Sequence, residues 1–381
     1  MDVPRNMQSA SEDDSAGILA NYRAEQVGNP QVAQGETDAS RRTNHHLAEI
    51  YDVDVQLGHG TFSTVWRCRN RQSGEVRAIK KIDTSEVPPQ IIAREISMMK
   101  LLTCHPNVVH CHHVFLEDKY VNIVVDEFAG GDLIDGMQHH FKEHGAIAND
   151  QLARISRQMV AAVSHVHKLQ IVHRDIKGEN FLADRQDIAD PRCHIALADF
   201  GSAVRIAPGE RLSDPVGTRA YWAPEVWNGS YGQECDMWAA GVTTHVLLMG
   251  ALPDTSSSTG ADGACCKVPS TVPPTCAQFL QAVLRAEPAQ RLTAAQALVH
   301  PWLAPHATPE TDVSTAGASH RSLLPAAQGA ASSCFSFIGD VVLSIGMFSC
   351  TLVACGLEVL LGSKPSEQPP PEAAESAAVA A

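Results

Sequence analysis

Fixed positive charge is scarce in this sequence. Its 29 Lys and Arg against 43 Asp and Glu leave a formal charge of −14. A surface of that sign repels a phosphate backbone, so nucleic acid is excluded as a general partner. There is no glycine after Met1, where Asp2 stands, which removes the usual N-myristoylation signal. No secretory leader opens the chain, and its eleven cysteines are scattered. A cytoplasmic, reducing setting with free thiols is expected. The D-x-[DN]-x-[DN]-G-x₅-E loop is also absent, so no direct calcium binding through an EF-hand is expected. Between residues 304 and 333 Arg321 is the one fixed positive charge, too few for a basic amphipathic calmodulin target. Aromatic residues are only 5%, yet 381 residues with 44% hydrophobic content can fill two lobes and leave tails.

Residues 1–48 are polar, lack a sustained apolar period and read as a disordered leader. From Tyr51 short β-branched runs follow one another: Val53–Val55, Ser63–Cys68 and Glu75–Lys80, separated by glycine-containing turns. They predict antiparallel strands. Ile91, Ile92, Glu95, Met98, Met99 and Leu102 recur at helical spacing, and two more strands are expected around Val108–Phe115 and Val121–Val125. After Gly130-Gly131 the pattern turns helical. Leu152, Ile155, Met159, Val160, Val163 and Val166 mark one face of a long helix, and further helices fit Cys235–Leu248, Cys276–Leu284 and Thr293–Val299. The expected fold is α+β: a small antiparallel β lobe with one main helix (49–128), then a larger, mainly helical lobe (129–303).

The chemistry is concentrated in His173-Arg174-Asp175-Ile176-Lys177-Gly178-Glu179-Asn180, with Asp199-Phe200-Gly201 beginning nineteen positions after Asn180. Asp175 is the candidate base and Lys177 the candidate cation for a moving phosphoryl group. Asn180 and Asp199 offer hard oxygens to Mg²⁺. Upstream, Gly58-His59-Gly60-Thr61-Phe62-Ser63 lies between two predicted strands and resembles a phosphate-covering turn, with Ser63 in place of a third glycine. Twenty residues after Gly60 comes Lys80, and fifteen further on Glu95, which suit a phosphate-holding lysine and its helix partner. Alone, such a pair is a surface contact worth at most about 1 kcal/mol. Together with Ala223-Pro224-Glu225, twenty-six residues after Asp199, the order and spacing specify phosphoryl transfer.

Over about residues 51–303 the set resembles the protein-kinase signature. Within it the chain is most similar to the calcium/calmodulin-dependent and calcium-dependent group. The shared stretches include Arg94-Glu95-Ile96, His105-Pro106-Asn107-Val108-Val109, Ser230-Tyr231-Gly232, Asp236-Met237-Trp238 and His300-Pro301-Trp302. Lys177, two residues after the base, resembles serine/threonine kinases. The resemblance implies ATP and Mg²⁺ as cofactors and protein Ser/Thr hydroxyls as acceptors. ATP would contact Leu57, Gly58, His59, Gly60, Ser63, Val65, Ala78, Lys80, Asp132 and Leu182. Val125 would stand as gatekeeper, followed by the hinge Asp126-Glu127-Phe128. Met99, Cys111, His173 and Phe200 would form an apolar spine between the lobes. Arg174 would seek an anion in the activation segment, where Asp214 stands at the usual phosphosite, with Ser213 as rival and Thr218 downstream. Asp132 and Glu179 would receive a basic residue upstream of the acceptor.

The pattern breaks after Leu252-Pro253, where the helix-poor stretch Asp254–Ala264 predicts a shortened 254–268 region in place of a docking helix. That break and Ser63 motivate an alternative reading, a nucleotide-binding pseudokinase scaffold. Cys104, His105, His110, Cys111, His112 and His113 are rich in metal-ligand types, but strand alternation sends them apart. A linker (304–333) leads to a hydrophobic segment (334–362) and a disordered tail (363–381). Val341–Leu357 holds seventeen uncharged residues between Asp340 and Glu358. About 27 Å of helix matches a ~30 Å hydrocarbon layer closely enough for a candidate membrane anchor. Cys334, Cys350 and Cys355 are candidates for acylation.

Overall fold

A computed structural model describes residues 46–60, 62–102, 105–254 and 268–304. Thr61, Cys104, Cys265, Cys266, most of the 254–268 region, the leader up to residue 45 and everything from 305 onward, including the candidate anchor, lie outside the described residues. Among the described residues no helix is long and apolar enough to cross a membrane.

The chain enters through a single turn, α1 (Leu47–Ile50), whose Leu47 and Ile50 pack on Tyr51, Cys68, Ile79, Phe115 and Val124. The β lobe therefore begins slightly before the expected boundary at 49, because this turn covers the end of the sheet. Five strands follow: β1 (Tyr51–His59), β2 (Ser63–Asn70), β3 (Val76–Asp83), β4 (Cys111–Leu116) and β5 (Tyr120–Asp126). They pair antiparallel in the order β1-β2-β3-β5-β4. Helix α2 (Pro89–Leu101) buries Ile92, Ala93, Glu95, Ile96, Met98 and Met99. Pro89 suits its first turn, where a missing N–H costs nothing. The strand expected from Val108 starts only at Cys111. Residues 107–109 are tied instead to the large lobe, with Val109 N donating to Leu197 O and Leu197 N to Asn107 O, both at 2.9 Å.

In the large lobe, α3 (Leu133–His144) precedes α4 (Asn149–Lys168). Leu152, Ile155, Met159, Val160, Val163 and Val166 of α4 are all fully buried. Each such side chain is worth about 1.5–3 kcal/mol of transfer free energy. Two short ladders, β6 (Ile171–Val172) with β9 (Val204–Arg205) and β7 (Phe181–Ala183) with β8 (Ile195–Leu197), brace the loops between them. The turn α5 (Pro224–Trp227) leads to α6 (Glu234–Met249), which is buried on nearly every side from Cys235 to Leu247. α7 (Pro274–Val283) and α8 (Ala294–Leu298) complete the lobe, α8 capped by Thr293 and Gln296.

Candidate active site

Three distant segments converge on Lys80. Its Nζ lies 2.6 Å from Glu95 Oε1 on α2 and 3.0 Å from Asp199 Oδ1 in the loop after β8. Burial opposes the lysine's charge, but Asp199 and Glu95 outweigh it and raise its pKa. Burial pushes the Glu95 carboxyl up against the pull of Lys80. The Lys80 ammonium in turn holds Asp199 down to about 2, so this group is a carboxylate at neutral pH. Strand alternation sends Lys81 to the opposite face, where its ammonium rests 3.8 Å over the Tyr120 ring.

Asp175 is fixed from every side. Its Oδ1 accepts from Thr218 N at 2.9 Å and from the Thr218 hydroxyl at 2.7 Å. Its Oδ2 lies 3.1 Å from Asn180 Nδ2 and 3.2 Å from Lys177 Nζ. Lys177 also donates to Thr218 Oγ1 at 2.9 Å. Burial works against the Lys177 charge, but Asp175 more than compensates, and its pKa is raised. Asn180 commits Nδ2 to Asp175 O at 2.7 Å, which leaves its amide oxygen as a donor atom for a cation. It and the half-exposed Asp199 carboxylate are the hard oxygens that could hold Mg²⁺.

The loop holding Asp175 is strained and anchored. Arg174 and Asp199 both adopt left-handed backbone, at φ 69° and 57°, a costly conformation for residues other than glycine that persists only where surroundings impose it. The anchor is Asp236, absent from the expected site. Its carboxylate accepts from His173 N at 2.8 Å and Arg174 N at 2.9 Å, and His167 Nε2 lies 2.9 Å away. Burial disfavours this charge, but the His167 contact, His173 and the backbone donor prevail and lower its pKa. Gly217 is required beside it: a Cβ there would meet Arg174 O at 2.0 Å, and its φ is 95°.

Several of the residues expected around adenine are paired neighbours in the sheets. Ala78 pairs with Val125 across β3–β5, and Val65 with Lys80 across β2–β3. Leu182 on β7 bridges to Asp132. Val125 packs against the main core, whereas the Asp126 carboxylate faces β4, 2.6 Å from His112 Nε2 and 3.2 Å from His110 N. Glu127 is held by Arg67 at 2.6 Å, and Phe128 stacks on His194. Both carboxylates are held by these contacts, and Leu57 is exposed. Gly58 and His59 pair with Val65 and Thr64, and Gly60 N donates to Ser63 O at 2.8 Å, so Ser63 closes the turn without a third glycine. Met99, Cys111, His173 and Phe200 are all buried, and the His173 and Phe200 rings meet edge-on at 5.0 Å.

One expected contact is not formed. Arg174 Nε donates to Ser202 O at 2.6 Å, and among the described residues no ion pair joins Arg174 to Asp214. Asp214 is instead held by its backbone, whose carbonyl accepts from Tyr231 OH at 2.5 Å, and its side chain and Ser213 are exposed. Of the histidines in the Cys/His-rich stretch, His110 and His112 meet edge-on at 4.6 Å, with His112 also paired with Asp126, while His105 stacks on His165 and His113 pairs with Tyr51.

On the substrate side, Asp132 caps α3, its Oδ1 accepting from Ile134 N at 2.8 Å and Asp135 N at 2.9 Å. Burial pushes its carboxyl up to about 6. Burial raises Glu179 too, and Glu179 Oε2 is buried with no hydrogen-bond partner among the described residues. Below the activation segment, Arg291 and Glu225 form a fully buried fork, Nη2 to Oε2 at 2.9 Å. Glu225 stands in the Ala223-Pro224-Glu225 motif, and 66 positions separate it from Arg291.

A two-lobed molecule with this Lys–Glu–Asp triangle, and with the candidate base Asp175 bonded to Thr218, has the arrangement of a protein kinase domain. The protein-kinase-domain family matches residues 51–303, and the chain belongs to that family. It is similar to CDPK-related kinase 1 of Arabidopsis thaliana (33% identity over 282 residues, covering 70% of this chain and 48% of the relative). Calcium-dependent protein kinase 25 of the same plant gives 33% over 283 residues, covering 71% and 53%. Serine/threonine-protein kinase PEPKR2, also from Arabidopsis thaliana, gives 33% over 280 residues, covering 71% and 57%. The chain thus spans about half the length of the curated relatives it matches.

Proposed function

We propose that this chain is an ATP-dependent serine/threonine protein kinase that favours substrates with a basic residue upstream of the acceptor. The reading is carried by Lys80 held between Glu95 and Asp199, which presents one ammonium to the phosphates from a fixed position. The acceptor oxygen attacks the γ-phosphorus, the bond to the leaving ADP oxygen breaks, and Asp175 takes the hydroxyl proton. Lys177 sits beside Asp175 and neutralises charge on the transferred group. Asn180 and Asp199 would hold Mg²⁺, which when bound offsets charge on the phosphate oxygens. Asp132 and Glu179 supply the basophilic preference, since a guanidinium would pair with and relieve two carboxylates that burial disfavours. Activity is read as independent of calcium binding by the chain itself, with the catalytic lobes in the cytoplasm and 334–362 as a tether.

The test is phosphoryl transfer from labelled ATP to Ser and Thr peptides by purified full-length protein, beside Asp199→Ala. Transfer that the variant loses is expected. Equal signal from both proteins, with ATP still raising the melting temperature, would instead favour the pseudokinase scaffold. Carbonate-resistant membrane association lost on deleting 334–362 is the outcome expected for the tether, and full solubility of the intact chain rejects it.

A further inference from the structure

The three residues of the hinge, Asp126-Glu127-Phe128, are each tied to a different element, and one of those ties has no role in the reaction described above. Asp126 is bound to β4 through His112 Nε2 at 2.6 Å, and Phe128 stacks on His194, just before β8 in the large lobe. Glu127 is bound to β2: its Oε1 accepts from Arg67 Nε at 2.8 Å and from Arg67 Nη2 at 2.6 Å. The hinge leaves the sheet from β5, and in the order β1-β2-β3-β5-β4 the strand β3 stands between β5 and β2. The Arg67–Glu127 contact therefore steps over β3 and joins two elements that share no ladder.

Residues directly opposite each other on an antiparallel pair share a face. Arg67 stands opposite Ala78 and Val65 opposite Lys80, so all four side chains belong to the face that carries the phosphate-holding lysine. Ala78 and Val125 are partners as well, which sets Arg67 at the hinge end of this face and Lys80 further in. The Glu127 side chain is 15% exposed and that of Arg67 38%, whereas the Arg71–Asp52 pair at the outer edge is 50% and 59% exposed. The hinge contact is thus the better shielded of the two, and less of its attraction is lost to solvent. A nucleotide taken up by the hinge backbone needs that backbone at a set distance from Lys80. A hinge already held there removes ordering cost from binding. Resting on the kinase reading above, we infer that Arg67 and Glu127 are positioning residues for ATP: their clasp fixes the hinge against the β lobe, so it sets affinity for the adenine nucleotide and leaves the transfer step unchanged.

The experiment uses full-length protein. Steady-state kinetics give kcat and KM for ATP, and calorimetric titration with ADP gives nucleotide affinity without any transfer. Glu127→Gln, which keeps the shape and removes the charge, is expected to raise KM for ATP and the ADP dissociation constant about fivefold at unchanged kcat, the effect of one partly shielded ion pair. Arg67→Gln gives the same loss, the two substitutions together are no worse than either alone, and the exchanged pair Arg67→Glu with Glu127→Arg regains most of it. Arg71→Gln, which breaks the edge pair, leaves both constants at wild-type values. A contact that serves folding alone would lower the melting temperature of Glu127→Gln without moving either constant. That result, or losses that add in the double variant, overturns the inference. If no peptide is phosphorylated while ADP binding still weakens in Glu127→Gln, the catalytic reading fails and the clasp stands; a wild type that binds no ADP overturns both.

Discussion

The Thr218 hydroxyl donates to Asp175 Oδ1 at 2.7 Å while accepting from Lys177 Nζ at 2.9 Å. One side chain of the activation segment thus orients the candidate base and bridges it to the cation beside it, which also meets Asp175 directly at 3.2 Å. Thr218→Ala is expected to lower kcat about tenfold with little change in KM for ATP, the equivalent of one net hydrogen bond of about 1.4 kcal/mol. Thr218→Ser, which restores the hydroxyl, should recover most of the loss in steady-state kinetics. A mere packing role would not distinguish the two variants in this way.

Glu95 is the buried partner of Lys80. Glu95→Gln keeps its shape and removes its charge, leaving Lys80 to Asp199 alone. A hydrogen bond to a charged group is worth about 1.5–3 kcal/mol, so kcat/KM for ATP should fall about 10- to 100-fold. The same variant should lose most of the thermal shift produced by ATP.

The pH dependence of substrate choice follows from Asp132. Its carboxyl is raised by burial to about 6 from an ordinary 3.8, so ionisation is disfavoured in the folded chain. Protonation therefore stabilises the fold, a contribution fully present below the unfolded value and lost as pH rises through about 6. The charge needed to attract a basic peptide follows the opposite course. The proposed preference for an upstream arginine, measured as a ratio of KM values, should weaken as pH is lowered through about 6. Asp132→Asn should flatten that profile and, at neutral pH, melt no lower than wild type, because Asn also caps a helix.

Arg291 and Glu225 carry the stability of the segment that follows the site. Arg291 is completely buried and also donates to Arg285 O and Glu234 O. Removing one member of a buried pair costs about 3–5 kcal/mol, because the other charge is left without its partner. Arg291→Ala should lower the melting temperature by about 10 °C in calorimetry, at about 2–4 °C per kcal/mol for a domain of this size.

Much of the fold was legible because its signals are local. Alternation in β2 and β3 and the apolar face of α4 follow from residues two to four positions apart. α3 was not assigned, since its buried face includes Gly136 and His140 along with Leu133, Ile134 and Met137. A polar ring facing the core hides the period. In the site, Asp175, Lys177, Asn180 and Asp199 were readable from order and spacing. Asp236 was readable only as part of a motif, because its work is to hold the backbone of His173 and Arg174, 63 and 62 positions away. The expected Arg174–Asp214 pair is not formed for a related reason: Ser202 O takes the Arg174 Nε, while Tyr231 OH holds the Asp214 backbone carbonyl with the Asp214 side chain left exposed, and nothing in the linear spacing ranks those contacts.

By itself the sequence determined the chemistry available: which carboxylates, lysines and amide oxygens exist, in what order, and on which strands and helices they ride. Tertiary structure alone decided how they are charged and held. Lys80 meets Asp199 across 119 residues, and the field each exerts on the other appears only when the lobes bring them to 3.0 Å. The same holds for Arg219, which in the sequence is one basic residue among 29. Only the fold sets its guanidinium against Trp222 and Trp227, because rings and charge must share a place in space before they can act on one another.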